Sequence, residues 1–337
     1  MQPLNYDELD LWWRTVPSSR RFISEIMEAV DKHCATAVHL PPEDEDGFIQ
    51  ILTEKIQRKH VSSIVEIFEY GAKGDIEDFA DALTEKFSPN FLRDFTIDSP
   101  MEDLAAQNSF TGYNIIIKLK KKFDWLTVAV TDFNKRATLA GGALIFVTNE
   151  DNPPPNLTRL SEFLTPYDVQ FFAINLLENA RLTSKQKLYT STLAAKLSKQ
   201  SSVMAKNLAK TELYTRGFEF VKTVIPKFSE KIYNRAVWEC QTQFLLPALE
   251  QIRSYLIEEN FSQLKQILPV TDEFGKTLSD AWDMELRHLH FYGGNYKIFP
   301  YDEWEILELA YLARNELSHL QTLEISQLEK IFNFVDD

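Results

Sequence analysis

The stretch YLARNELSHL, Tyr311 to Leu320, places Arg314, Asn315 and His319 within six residues. These side-chain types suit RNA cleavage by the neighbouring 2′-hydroxyl. A histidine near its ordinary pKa acts as general acid or base. A guanidinium, always charged, holds the scissile phosphate and stabilises the charge developing on it. An asparagine amide can orient either partner. The reaction calls for no metal ion and no cofactor.

One helix has to carry the trio. Asp302 suits its N-cap, with Glu305 completing a capping box. At about 100° per residue, Ile306, Ala310, Ala313, Leu317 and Leu320 fall on one stripe, the expected core face. Asn315 lies opposite, together with Trp304, Tyr311 and His319, and Arg314 sits at the border. A solvated face would carry Lys, Glu and Gln. This one predicts a second covered face, against another helix or another chain. Trp304 and Tyr311 are therefore expected at a dimer interface.

Other chemistry is weaker. His288 and His290 have an H-x-H spacing that ligates zinc from a strand, but on a helix the two rings diverge, and no cysteine lies nearby. The run PPEDEDG has four consecutive carboxylates, Glu43 to Asp46, after an expected strand. A hard cation fits such a place, and a solvated helix start is the simpler account. Cys34 and Cys240 are the only cysteines, so neither a disulfide framework nor a cysteine-based zinc cluster can be built.

The formal charge of −14 is unevenly spread. Residues 1–180 carry 17 Lys/Arg against 29 Asp/Glu, residues 181–235 carry 12 against 3, and residues 236–337 carry 7 against 18. The basic segment either attracts a polyanion or pairs with the chain's own acidic regions. On the first reading Lys185, Lys187, Lys196 and Lys199 bind RNA. The N-terminus lacks an apolar signal core, and runs such as NIIIKL and ALIFV are too short to span a bilayer. A cytoplasmic protein without membrane contact is expected.

Along the first half, short apolar runs alternate with helical patterns. CATAVHLP, SSIVEIFEY, YNIIIKL and GALIFVTN read as strands. Helices are expected over PPEDEDGFIQILTEKIQRKH, GDIEDFADALTEKF and DWLTVAVTDFNKRA. This pattern predicts an α/β domain with a largely parallel sheet. A proline-rich loop, Thr148 to Asn156, ends the last strand, and the chain then reads as helical to its end. SEKIYNRAVWECQTQFLLPALEQIRSYLIEENF is expected to be one long helix, kinked at Pro247. FYGGN is expected to be a turn before the helix that holds Arg314. The fold class is thus an α/β N-terminal domain followed by an all-α C-terminal helix bundle. Residues 1–175 form the α/β domain, 176–235 a basic helical connector and 236–337 the bundle.

Arg314-Asn315-Glu316-Leu317-Ser318-His319 resembles the RN-x-x-x-H signature of the HEPN superfamily, and the resemblance covers roughly residues 236–337. It implies a small helical bundle, often a metal-independent ribonuclease of toxin–antitoxin or antiphage systems. Two copies would meet across a dimer interface to complete one site, with Arg314, Asn315 and His319 catalytic. HEPN-like bundles without nuclease activity imply the alternative, a scaffold or regulatory subunit of a larger defence assembly. The α/β domain faintly resembles a P-loop-type nucleotide-binding domain that lacks its phosphate loop, since neither G-x-x-x-x-G-K-[ST] nor G-x-G-x-x-G occurs. On that analogy it is a sensor or partner-docking module, or a nucleotide sensor without a standard phosphate loop.

Overall fold

Apolar runs bounded by Pro, Gly and acidic residues become the strands of a five-stranded parallel sheet in the computed structural model. The structure describes all residues except Lys73, Asp151, Asn152, Pro155 and Asp337. The strands are β1 (Ala35–His39), β2 (Ile64–Tyr70), β3 (Tyr113–Leu119), β4 (Ala143–Thr148) and the two-residue β5 (Thr158–Arg159), in the order β2-β3-β4-β1-β5. Neighbouring strands pair in parallel throughout. Every residue of β4 is buried, as a central strand covered on both faces requires.

Strand alternation sends successive side chains to opposite faces. Ile115, Ile117, Leu144 and Phe146 share one core with Phe79, Leu83, Leu104, Leu126 and Phe133. Those last five come from helices α3 (Ile76–Phe87), α4 (Pro100–Ala106) and α5 (Leu126–Arg136). Contacts to β1, β2 and β4 come from helices α1 (Pro17–Asp31) and α2 (Glu45–Lys59). The stripe Phe48, Ile49, Ile51, Leu52 and Ile56 of α2 is buried as its spacing predicts. The helix α6 (Pro166–Leu176) and the short helix Ser202–Leu208 complete this unit. The proline-rich loop after β4 falls partly outside the described residues.

The chain divides into two compact units, residues 1–176 with 198–209, and residues 177–197 with 210–337. The expected connector over 176–235 is therefore shared between the units, and the helical unit begins well before Pro226.

The helical unit is organised by α8 (Glu230–Glu259), which runs on through Pro247. Against it pack α7 (Ser184–Leu197), α10 (Tyr301–Ser318) and α11 (Ile325–Asp336). Cys240, Leu245, Ile252 and Leu256 of α8 are fully buried in this core. A hairpin of β6 (Val270–Thr271) and β7 (Thr277–Leu278) precedes α9 (Leu286–Tyr296).

FYGGN lies inside α9 and not in a turn. The glycines are there for closeness of approach. A Cβ on Gly293 would collide with the Phe299 ring, and one on Gly294 would come within 2.8 Å of Trp304. Two adjacent glycines predict a break in the helix, but here tertiary packing selects them for another reason.

Candidate active site in the helical unit

Helix α10 follows Pro300 and carries Asp302 and Glu303 in its first turn, where carboxylates favour the helix dipole. Pro300 occupies the N-cap, so Asp302 and Glu305 do not form the expected capping box. Glu305 pairs with Lys330 instead, at 3.0 Å. Ile306, Ala310, Ala313 and Leu317 are buried on the expected stripe. Leu320 is 70% exposed, because the helix ends at Ser318 and Leu320 takes a left-handed backbone, φ 60°.

His319 is the C-cap, exposed, with its amide donating to Asn315 O and Glu316 O. The indole N–H of Trp238 donates to Leu317 O at 2.9 Å and satisfies one carbonyl of the last turn. Asn315 is half-buried one turn back, and Arg314 is exposed. No hydrogen bond or ion pair to a described residue holds the side chain of Arg314, Asn315 or His319.

Arg314 lines a cleft of about 370 Å³ with Arg253, Arg287, Glu250, Asp283 and Trp282, and neither Asn315 nor His319 lines it. The other two arginines are committed. Arg253 binds Glu250 and donates to the carbonyls of Trp282 and Met284 at 3.1 and 2.9 Å. Arg287 lies among Glu285, Glu273 and Asp272, 3.2–3.8 Å away. In this cleft Arg314 is the guanidinium left available to an anion.

Trp304 and Tyr311 are half-buried. The His290 ring of α9 stacks on both, its centroid 5.1 Å from Trp304 and 4.4 Å from Tyr311. The H-x-H pair diverges, His290 to this stack and His288 toward Asp272. Among the described residues no group of three His, Cys, Asp or Glu side chains is arranged to hold a metal ion. Burial raises the pKa of both cysteine thiols, strongly for Cys240, which suits packing and not nucleophilic attack.

Three of the four lysines of the basic segment have partners in the helical unit. Lys185 lies over the Phe332 ring and donates to Phe332 O at 3.4 Å. Lys187 donates to Glu178 O at 2.6 Å, and Lys196 pairs with Glu239 at 3.3 Å. Lys199 belongs to the other unit, at left-handed φ 50°.

The second place for a ligand is the α/β unit's cleft of about 330 Å³. It is lined by His39 at the end of β1, Pro41 after it, Asn149 after β4, and Lys199 and Ser201. The connections from β1 and β4 leave toward opposite edges of the sheet, the arrangement that forms a ligand crevice in open α/β sheets. Here the crevice is closed to phosphate. Pro41 and Pro42 supply no amide N–H. The buried Asp44 carboxylate accepts from Ser202 N (3.0 Å), Ser202 Oγ (2.6 Å) and Val203 N (3.1 Å), so the chain's own anion takes these donors. Burial pushes Asp44 up to about 6 against those hydrogen bonds. Glu45 and Asp46 are likewise consumed, by Lys118 at 2.9 and 2.8 Å and, for Glu45, by Asn149 at 2.6 Å. Asp44, Glu45 and Asp46 of the acidic run are thus paired within this unit.

No protein-family model matches the chain, and no curated protein matches it in sequence. Among the described residues no helix is long and apolar enough to cross a membrane.

Proposed function

We propose that the helical unit is an RNA-directed module of the HEPN type, cleaving RNA without a metal through Arg314, Asn315 and His319. The observation that carries this reading is that the three motif side chains are left uncommitted. Within 230–337, Arg235, Arg253 and Arg287 each pair with a carboxylate, and Arg314 does not among the described residues. A positive charge at a cleft and an exposed imidazole one turn further on are what phosphodiester chemistry needs.

In that chemistry the 2′-oxygen attacks phosphorus, the 2′,3′-cyclic phosphate forms, and the bond to the 5′-oxygen breaks. One His319 takes the 2′ proton and the His319 of a second copy gives a proton to the leaving oxygen, as the resemblance implies. Arg314 stabilises the pentavalent phosphorus. The α/β unit serves as a sensor or docking module on this reading.

The test is cleavage of single-stranded RNA by the full chain in EDTA. His319→Ala and Arg314→Ala are each expected to lower the rate by about 10²–10⁴-fold. The double variant should be little worse, because the two act as a unit. Products should end in 2′,3′-cyclic phosphate. Absence of cleavage with any RNA, together with lost self-association in His319→Ala, would replace the enzyme with a scaffold in a larger defence assembly.

A further inference from the structure

We propose that the outer edge of β2 captures an extended segment of a partner protein, which alternates basic with β-branched residues and adds to the sheet as a sixth strand. The two edges of the sheet are built differently. β5 has two residues, too few to template another strand. β2 has seven, Ile64 to Tyr70, all in register with β3 on its inner side. It has no bulge and holds neither Lys nor Pro, the usual guards of an exposed edge.

The ladder fixes which groups face outward. Ile64 N donates to Gly112 O at 2.8 Å, and Lys120 N donates to Tyr70 O at 2.9 Å. In a parallel pair every second residue bonds to the same neighbour, so Ile64, Glu66, Phe68 and Tyr70 turn their backbone groups to β3. Val65, Ile67 and Glu69 turn theirs away from it. Among the described residues none of those three N–H and three C=O groups has a hydrogen-bond partner. Val65 is half-buried and Ile67 is 44% exposed. An added strand pairs the outward groups and covers both side chains.

Charge decides the occupant. Residues 61–103 carry 11 Asp/Glu against 3 Lys/Arg. The rings of Phe79 and Phe87 in α3 meet those of Tyr70 and Phe68 at 5.0 and 5.9 Å, which seats α3 along β2. α3 packs on α4 and α4 on α5, so α3 is the outermost helix on that face. Its exposed side carries Glu77, Asp78, Asp81 and Glu85 against one base, Lys86. A second copy paired across a two-fold would set this acidic edge against itself, and RNA would be repelled, whereas a basic segment is attracted. On the opposite face of the sheet Val65 and Ile67 form an apolar strip, and Glu69 pairs with Lys120 at 3.1 Å. That strip selects β-branched residues at every second position of the partner. The partner's basic residues then fall on the α3 side, next to Glu66. This surface rests on the docking role proposed for the α/β unit and is independent of RNA cleavage by the helical unit.

The experiment is amide NMR with hydrogen exchange on the full chain, titrated with the end-blocked peptides VKVKVKV, KKKVVVV and VEVEVEV. In the free protein the amides of Val65, Ile67 and Glu69 should exchange fast and those of Glu66 and Phe68 slowly. VKVKVKV should shift and protect the fast set saturably. KKKVVVV, with the same charge and composition, should bind weaker by about tenfold or more, and VEVEVEV should not bind. Ile67→Pro removes the central outward N–H and no β2–β3 bond, so it should fold and lose binding by a similar factor. Ile67→Lys keeps the backbone, sets a positive charge on the apolar strip, and should weaken VKVKVKV likewise. Four results would overturn the proposal. They are no shift at the three outward amides, equal binding of KKKVVVV or VEVEVEV, and full affinity in Ile67→Lys or in a folded Ile67→Pro. The fourth is protection of the three amides in a free protein that light scattering shows to be a dimer, which makes the occupant a second copy. Peptide binding without RNA cleavage keeps this edge and removes the ribonuclease, and cleavage without peptide binding does the reverse.

Discussion

The start of α2 in the α/β unit and the end of α10 in the helical unit carry similar polar residues and leave them in opposite states. Beside the sheet, Asp44, Glu45, Asp46 and Lys118 are all consumed by partners in their own unit. In the helical unit, the side chains of Arg314, Asn315 and His319 make no hydrogen bond or ion pair to a described residue. A satisfied polar network stabilises a fold, whereas polar groups left unsatisfied mark a place where a ligand can be recognised. The topology of the sheet points to its crevice, but the chemistry points to the helices.

The largest effect expected from breaking this comparison is at Asp44. Asp44→Ala orphans two buried amides and a hydroxyl and should cost about 3 kcal/mol or more in a urea unfolding series. Asp44→Asn still accepts from Ser202 Oγ and Val203 N through Oδ1, and should recover part of that loss. A neutral Asp44→Ala would mean that the carboxylate does not stand in for a bound anion.

The same residue gives the pH dependence. Its carboxyl is raised from 3.8 to about 6, so the native state holds the proton more tightly than the unfolded chain. The stability from protonated Asp44 is full below about pH 4 and is lost as pH rises through about 6, on the order of 3 kcal/mol. Comparing wild type with Asp44→Asn at each pH removes the contribution of the other carboxylates. A flat difference between pH 4 and 7 would contradict the shift.

In the helical unit, Gly293→Ala should cost about 1–3 kcal/mol by forcing Phe299 aside. It should also disturb the His290 stack, seen as altered near-ultraviolet circular dichroism. An unchanged melting temperature would show that α9 and α10 can part without loss.

The two arginines of one cleft sharpen the contrast further. Arg253→Ala strips a carboxylate and two carbonyls of their partner and should cost about 1–3 kcal/mol. Arg314→Ala should change stability by less than about 0.5 kcal/mol, as at surface positions without partners. Equal losses would place Arg314 among the structural arginines.

Much of the sheet was legible, because continuous apolar runs such as GALIFV and YNIIIKL have one stable use when both faces are covered. The core stripe of α10 was legible to Leu317 for the same kind of reason, a fixed helical period. The two-residue β5 leaves no periodic trace, and FYGGN shows how a glycine pair misleads when packing outweighs local propensity. The cover on Trp304 and Tyr311 was foreseen as another helix or another chain, but His290 was not identified, because stacking between elements has no spacing in sequence. The four lysines lie close along the chain, but the division into units falls between Lys196 and Lys199, which no composition signal marks. Asp272 lies 16 residues before His288 and reaches it only through the hairpin, so that pair was invisible to motif reading.

Side-chain NMR of the full chain with a single-stranded RNA oligonucleotide tests the central claim directly, because both clefts contain reporters. The account predicts that the Arg314 Nε–H signal and the His319 ring signals shift on titration, while the His39 ring and the Lys199 ammonium signal stay in place. Shifts at His39 and Lys199 with Arg314 and His319 unmoved would contradict it, and would place the ligand at the sheet after all.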